Sequence, residues 1–201
     1  MKNTTYIQSL CTIENNAIIL NGETVFTTEN QPFADFSKQA YHHLGISYPK
    51  FFKMDSLSKL AFLAAELLLK DEPESGNIAL LFANKSSSLD TDIKYQKSIS
   101  DPENYFPSPA VFVYTLPNIC LGEISIRHQL KSENSFFIFD AFNPEFMASY
   151  ANILLETQKA GKVLCGWTEY INEEYKAFLY LVSDDGTTIH NKQNLATAYT
   201  K

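Results

Sequence analysis

The chain has 201 residues, of which 45% are hydrophobic and 13% aromatic, a composition that is typical of one globular domain and argues against intrinsic disorder. Lys and Arg number 16 against 23 Asp and Glu, and a net charge of −7 without any basic run argues against nucleic acid or an anionic membrane as a partner. The sequence predicts neither a signal peptide nor a membrane span, so we expect a cytoplasmic protein.

The first predicted elements are two short strands and a helix. Residues 6–10 and 17–20 have the apolar and β-branched composition of strands and are joined by a polar turn. A short helix is predicted around residues 36–43, and it carries the adjacent pair His42 and His43. Because neighbouring residues on a helix point in different directions, we expect surface or packing roles for this pair and no shared metal.

The clearest helix is predicted over residues 51–70, with Asp55 as its cap. One apolar stripe at helical spacing runs along it, made of Leu57, Leu60, Ala61, Ala64, Leu67 and Leu68. An apolar strand over residues 77–83 follows, and then a polar segment over residues 84–92. That segment lacks the glycines of a phosphate loop and the ligand spacing of an EF-hand, so a solvated loop is predicted.

An aromatic segment over residues 105–118 precedes a helix predicted over residues 119–127. Pro107 and Pro109 restrict the conformation of this segment. Its aromatic content indicates either core packing or a subunit interface, because an exposed apolar patch of this size needs a partner.

The stretch over residues 134–169 has the pattern of strand, helix and strand. Residues 136–139 form an unbroken apolar run, which predicts a strand buried on both faces, and residues 163–167 form a second one. Asn143 is expected to cap the intervening helix, and Gly161 is expected to close it in the left-handed conformation. Short joints between these elements predict a βαβ unit with a parallel pair of strands.

The joint at residues 140–143 is the candidate site, because reactive groups in α/β proteins lie at the carboxyl ends of strands and at helix N-termini. The cysteines offer a second source of chemistry, but Cys11, Cys120 and Cys165 are an odd, widely spaced set without a disulfide or zinc pattern. Each lies in an apolar stretch, which favours a buried thiol. Cys165, near a strand end, is the best reactive candidate, although no helix N-terminus would lower its pKa.

The 134–169 stretch resembles the nucleophile region of the β-ketoacyl-acyl-carrier-protein synthases, the condensing enzymes of fatty acid and polyketide synthesis. Their pattern is a strand, Thr-Ala-Cys-Ala-Ser, a long helix, and a strand that ends in Gly-Gly-x-Glu. Here Asp140-Ala141-Phe142-Asn143-Pro144 lies over the first motif and Gly166-Trp167-Thr168-Glu169 over the second. By that register the family's cysteine falls on Phe142, and a phenyl ring cannot form a thioester.

Weaker matches extend the resemblance from Tyr6 to about Val182, and it implies an α/β fold, the N-terminal half of a thiolase-like fold, with a mixed, mostly parallel sheet flanked by helices. The family's catalytic histidines and lysine come from the second half. The chain is therefore interpreted as a half-length, degenerate member with one domain over residues 1–185. A polar, poorly ordered tail is expected over residues 186–201. The sequence leaves open whether a partner or a rearranged tail covers the 144–160 helix in the absence of a second half.

The resemblance implies a non-catalytic accessory or binding subunit in fatty acid or polyketide-type synthesis, with aryl-polyene pigments as one such pathway, and it implies no cofactor and no metal. The expected partner is a complete β-ketoacyl synthase or an acyl carrier protein, with a homodimer as a further reading. The alternative is a stand-alone enzyme that acts on a thioester through Asp140 or Cys165. The interface candidates are Phe106, Phe112, Tyr114, Phe137 and Phe139.

Overall fold

One mixed sheet of eight strands forms the centre of a computed structural model, which describes residues 4–200. The strands are β1 (Tyr6–Glu14), β2 (Ala17–Leu20), β3 (Glu23–Thr27), β4 (Ile78–Asn84), β5 (Asn134–Ile138), β6 (Lys162–Ile171), β7 (Glu174–Ser183) and β8 (Thr188–Ile189). The helices are α1 (Phe33–His43), α2 (Ser56–Leu68), α3 (Leu89–Ile99), α4 (Pro109–Val113), α5 (Ile119–His128), α6 (Pro144–Glu156) and α7 (Lys192–Tyr199). Two 3-10 turns cover Pro49–Lys53 and Pro102–Asn104.

The strand order is β3-β2-β1-β7-β6-β4-β5, with β8 beside β1. The predicted mixed sheet with flanking helices is confirmed. Parallel pairing is confined to β4, which pairs in parallel with β5 and with β6. Parallel pairs therefore do not dominate the sheet, contrary to the expectation of a mostly parallel one. The other pairs are antiparallel. Hairpins form the pairs β1–β2, β2–β3 and β6–β7, whereas β1 joins β7 and β8 from the other end of the chain.

The predicted βαβ unit exists as β5, α6 and β6, but β4 lies between its two strands. Every residue of β4 is buried, whereas β5 lies at the sheet edge and is only partly covered. The expectation that residues 136–139 are buried on both faces is therefore wrong. An apolar run does not reveal which strands pair with it, and here a different strand takes the central place.

The sheet has a hydrophobic core on each face. Leu80 and Phe82 of β4 belong to the core that contains α1, α2 and α5, whereas Leu81 and Ala83 belong to the core that contains α6 and Leu195 of α7. This alternation follows from the period of two along a strand. Both helical layers are thus fixed by successive residues of one strand.

Helix α2 is covered on more than one side, since it packs on the sheet, on α1 and on α5. The predicted stripe is buried except for Leu67, which is partly buried, and Phe62, Leu63 and Ala65 are buried as well. The helix begins at Ser56, not at residue 51, because Pro49–Lys53 forms a separate 3-10 turn.

Two predicted caps are confirmed. The Asp55 carboxylate accepts a hydrogen bond from the Ser58 N–H at 2.9 Å, and the Asn143 side chain accepts one from the Phe146 N–H at 3.0 Å. Gly161 does not close α6, which ends at Glu156 and is followed by Gln158 with φ of 57°.

The polar segment over residues 84–92 is not a solvated loop. Asn84 is fully buried, and its side chain donates to the Ser87 carbonyl at 2.8 Å and accepts from the Ser87 N–H at 2.9 Å. These bonds close a tight turn, after which α3 begins at Leu89. A side chain that bonds its own turn in this way is a local device of asparagine.

The expectation of a poorly ordered tail is also wrong for the described residues after 185. They form β8 and α7, and Asn191 caps α7 by accepting a hydrogen bond from the Asn194 N–H at 2.9 Å. Leu195 is fully buried in the core that contains α6. The polar composition of this segment did not predict α7, because one buried apolar residue in two helical turns gives little hydrophobic periodicity.

We predict that Gly166→Ala destabilises the chain by about 3 kcal/mol or more, because an added Cβ would lie 2.1 Å from the Phe178 carbonyl oxygen on the adjacent strand. Gly122→Ala is the matched control. Its Cβ meets no atom within 4 Å and it lies inside α5, so this change should stabilise by about 0.5–1 kcal/mol. Urea unfolding of both variants measures the difference, and equal effects would contradict the close approach of β6 and β7.

Asp55 also accepts a hydrogen bond from the Thr91 hydroxyl at 2.8 Å and so joins α2 to α3. Burial raises the pKa of this carboxyl above 3.8, against the hydrogen bonds from Ser58 and Thr91 that lower it. A group whose pKa is raised on folding contributes its full stabilisation below the unfolded value, and that contribution is lost as the pH rises through the folded value.

We predict that Asp55→Ala lowers the free energy of unfolding by about 1–2 kcal/mol, since the cap and the partner of Thr91 are both lost. Asp55→Asn keeps a capping oxygen and removes the buried charge, so its stability should match or exceed that of the parent chain at neutral pH. Urea unfolding across the acidic and neutral range measures both effects. Asp55→Asn should also remove the decline in the free energy of unfolding with rising pH. If Asp55→Asn lowers that free energy as much as Asp55→Ala does, the assignment of Asp55 as a helix cap with a buried charge is refuted.

Candidate functional site

The parallel strands bring the two motifs of the predicted site to one edge of the sheet. The Phe139 N–H, just after β5, donates to the Asn84 carbonyl at the end of β4 at 2.9 Å. On the other side of β4, the Glu169 carboxylate of β6 accepts hydrogen bonds from the N–H groups of Lys85 at 2.6 Å and Ser86 at 3.2 Å. Glu169 therefore holds the turn after β4 and has a structural role at this edge.

Phe142 lies in a group of aromatic rings that we call the Phe142 cluster, formed by Phe142, Trp167, Phe178 and Tyr199. The Phe142 ring stacks on Tyr199 with centroids 4.6 Å apart and meets Phe178 edge-on at 5.3 Å and Trp167 at 6.3 Å. Aromatic pairs at such distances contribute about 0.5–1.5 kcal/mol each beyond the burial of their surface. The position that the resemblance assigns to a nucleophile is thus occupied by a packed ring.

Two members of the site were missed from the sequence. Tyr199 lies in the segment expected to be a disordered tail, and Lys176 lies on β7. The Lys176 ammonium is 4.7 Å from the centroid of the Tyr199 ring, donates to the Tyr199 carbonyl at 3.3 Å and pairs with Glu14 at 3.0 Å. The spacing of Leu195 and Tyr199 by four residues is the signal that could have revealed this helix face.

Asp140 is exposed after the end of β5, at the joint where it was predicted. Asn143, not Asp140, caps α6. In the described part of the chain, no hydrogen bond or ion pair holds the Asp140 carboxylate against a base or a charged partner. Its role in thioester chemistry stays a prediction.

The prediction of buried thiols is confirmed for all three cysteines. Cys165 has no exposed surface and lies in the core between the sheet and α6. Burial raises the pKa of Cys11, Cys120 and Cys165 above the ordinary thiol value. A neutral, inaccessible thiol is a poor nucleophile, so the geometry does not favour Cys165 as a replacement for the missing cysteine.

The four histidines do not form a catalytic site around Phe142. His42 and His43 are exposed on α1, as predicted. The His128 Nε2 lies 2.9 Å from Glu66 and joins α5 to α2. His190 is 4% exposed, and burial lowers its pKa to about 4, so the ring is neutral at physiological pH.

The five predicted interface residues fall into two groups. Phe106 and Phe112 are exposed to 71% and 57%, whereas Phe137 and Phe139 are half-buried against α6. Tyr114 is buried and donates a hydrogen bond to a Glu123 carboxylate oxygen at 2.9 Å, so it fixes α4 on α5. We call the exposed side chains of this region the aromatic shelf, which comprises Tyr105, Phe106, Phe112, Val113 and Leu116.

Within residues 4–200, no group of three or more His, Cys, Asp and Glu side chains could hold a metal ion. Among the same residues, no helix has the length and apolarity needed to cross a membrane.

No protein-family model and no curated protein matches the sequence, but solved structures match its fold. The ishigamide ketosynthase/chain length factor has a TM-score of 0.65 and 17% identity, over 90% of this chain and 62% of that one. A ketosynthase (ApeO) in complex with its chain length factor (ApeC) from Xenorhabdus doucetiae has a TM-score of 0.61 and 14% identity, over 98% and 90%. A β-ketoacyl synthase from Burkholderia phymatum has a TM-score of 0.58 and 12% identity, over 98% and 61%.

These structures show that the chain has the thiolase-like fold of ketosynthases and chain length factors, as the resemblance implied. The chain spans less than two thirds of the ishigamide and Burkholderia phymatum proteins. It spans 90% of the matching chain from Xenorhabdus doucetiae, so a protein of similar length also carries this fold.

We predict that none of the three thiols reacts with a disulfide reagent such as Ellman's reagent in the folded chain. All three should react after unfolding in guanidinium, because burial is what raises their pKa and blocks access. The amount of thionitrobenzoate released per chain, in the folded and in the unfolded state, gives the number of thiols that react. A rapid native reaction that disappears in Cys165→Ser would show that Cys165 is accessible and would revive it as a nucleophile.

Proposed function

We propose that this chain is a non-catalytic relative of the ketosynthases that acts as an accessory subunit, in the manner of a chain length factor, in fatty acid or polyketide-type synthesis. The observation that carries the proposal is the packed Phe142 ring at the position of the nucleophile. The protein would work in the cytoplasm beside a complete condensing enzyme. Aryl-polyene pigment synthesis is one such pathway type, as the family resemblance implies.

The chemistry of the described side chains supports the proposed lack of condensing activity. Acyl transfer to the protein requires a nucleophile that forms a covalent thioester and a base that activates it. Here the side chain in that position is a phenyl ring stacked on Tyr199, and the three thiols are buried with raised pKa. The neutral, buried His190 has no hydrogen bond from a described residue to its Nε2. These features support a binding role for the site.

The partner surface that we propose combines the free edge of β5 with the aromatic shelf. The outer side of β5 has no neighbouring strand in the described chain, and an exposed strand edge is a template for pairing. Ile138 of β5 is 49% exposed, and Phe106 of the shelf is 71% exposed. The shelf is tied to the same end of the sheet, since the Ser88 hydroxyl after β4 donates to the Thr115 carbonyl at 2.6 Å.

The proposed partner is a complete ketosynthase. Matching structures include a ketosynthase with its chain length factor and a type II PKS acyl-carrier protein with its ketosynthase, so both kinds of partner are known for this fold. A strand edge flanked by apolar side chains suits a lasting interface more than the transient docking of a carrier protein. A homodimer through the same surface is the competing outcome.

We predict that the tagged chain, purified from its native host, brings down a complete ketosynthase at near-equal amounts, as measured by mass spectrometry. Ile138→Lys and Phe106→Asp should each reduce that recovery at least about tenfold, because a charge is then placed in an apolar contact. Ile189→Lys is the matched control, since Ile189 is also 49% exposed and lies on β8, away from the β5 edge.

Other outcomes would overturn the proposal. Recovery of the chain alone at monomer mass would reject the partner role, and recovery at dimer mass would replace the ketosynthase by a second copy. Elongation of an acyl-carrier thioester by the pure chain would reject the non-catalytic role.

A further inference from the structure

The C-terminal segment over residues 188–200, which we call the strap, is attached to the domain at both ends. Its first residues pair with β1, where Ile189 lies opposite Tyr6, and the His190 N–H donates to the Thr5 carbonyl at 2.9 Å. Its last turn ends on the site, where Tyr199 stacks on Phe142 and accepts a hydrogen bond from Lys176. The strap thus runs from the first residues of β1 to Phe142.

Buried side chains hold the middle of the strap. The His190 ring is 5.7 Å from the centroid of Tyr180, and its Nδ1 lies 3.4 Å from the Asn152 side-chain oxygen on α6. Leu195 is fully buried in the core that also contains Met147 and Ala151 of α6. The strap therefore covers α6 and the Phe142 cluster together, on one face of the sheet.

The surface beneath the strap is apolar. Phe142, Trp167 and Phe178 line it on the side of the sheet, and α6 contributes its buried stripe. If the strap left, these side chains would form an exposed apolar patch, which monomeric proteins rarely tolerate. The segment that the sequence suggests is a tail therefore covers the buried face of α6.

The strap is a small cooperative unit. Helix α7 has eight residues and one fully buried residue, Leu195, and helices of this length are marginal in water without tertiary contacts. Its outward positions, which include Gln193, Ala196 and Thr197, are exposed. Units with few buried contacts open locally at a lower free energy than global unfolding.

We propose that the strap is an intramolecular lid, in which residues 188–200 open as a unit to uncover α6 and the other three rings of the Phe142 cluster. This inference does not depend on the accessory role, because it concerns the isolated chain. A failure of the lid would leave the ketosynthase partnership untouched, and a failure to capture a ketosynthase would leave the lid untouched.

Hydrogen exchange of the full chain, measured by mass spectrometry, tests the lid. In the parent chain the amides of residues 192–199 should exchange at least about tenfold faster than those of β4, because local opening precedes global unfolding. Leu195→Asp should speed exchange of both the strap and α6 at least about tenfold more, and should leave β2 and residues 9–14 of β1 protected, since these pair with β2 and β7 and not with the strap. Ala196→Asp is the matched control, with the same new charge one position along on the exposed side, and should change neither element.

The ring contact has its own pair of variants. Tyr199→Ala should increase the binding of the apolar dye 1-anilinonaphthalene-8-sulfonate several-fold, because the stack on Phe142 is lost. Tyr199→Phe keeps the ring and should restore the parent level. If Leu195→Asp loosens the strap while α6 stays protected, or if β2 and residues 9–14 of β1 lose protection to the same extent, the strap is not an independent lid and the proposal is overturned.

Discussion

A sheet whose central strands are apolar on both faces must be covered on both faces, and most of the structure follows from that constraint. Strand β4 is buried along its whole length, with alternate side chains in two different cores. On one face α1, α2 and α5 supply the cover. On the other face only α6 lies in the body of the domain, so α7 completes the layer from the C-terminal segment. Burial of this apolar surface lowers the free energy of the folded chain, and for that reason the sheet needs the second helical layer of α6 and α7.

The same constraint explains why the candidate site holds rings and not reactive groups. At the edge where β4, β5 and β6 end lie a strand, a capped helix and a Glu169 carboxylate that secures the neighbouring turn. The centre of that edge, however, is filled by the stack of Phe142 on Tyr199, with Lys176 beside it. A ring that packs between the sheet and α7 stabilises the fold, and the same ring cannot attack a thioester.

The surface that is left open is consequently the best guide to function. Tyr114 and Glu123 fix α4 from below, with Lys50 paired to the same carboxylate at 2.8 Å, so the aromatic shelf is held in place although its side chains face outward. The edge of β5 lies at the end of the sheet order. An exposed apolar surface and an open strand edge each favour association, and the proposed accessory role assigns that association to a condensing enzyme.

Local sequence determined the features that depend on neighbours along the chain: the caps Asp55 and Asn143, the core helix α2, the N-terminal hairpin, and the strand, helix and strand of the βαβ unit. Hydrogen bonds within one turn and the 3.6-residue period leave a direct trace in the sequence. Only the tertiary structure decided that β4 lies between β5 and β6, that β5 is an edge, that Tyr114 is buried while Phe106 is exposed, and that residues 188–200 close the site. Each of these depends on contacts between residues distant in sequence, such as Tyr199 with Phe142, and an isolated segment carries no record of the surface that will cover it.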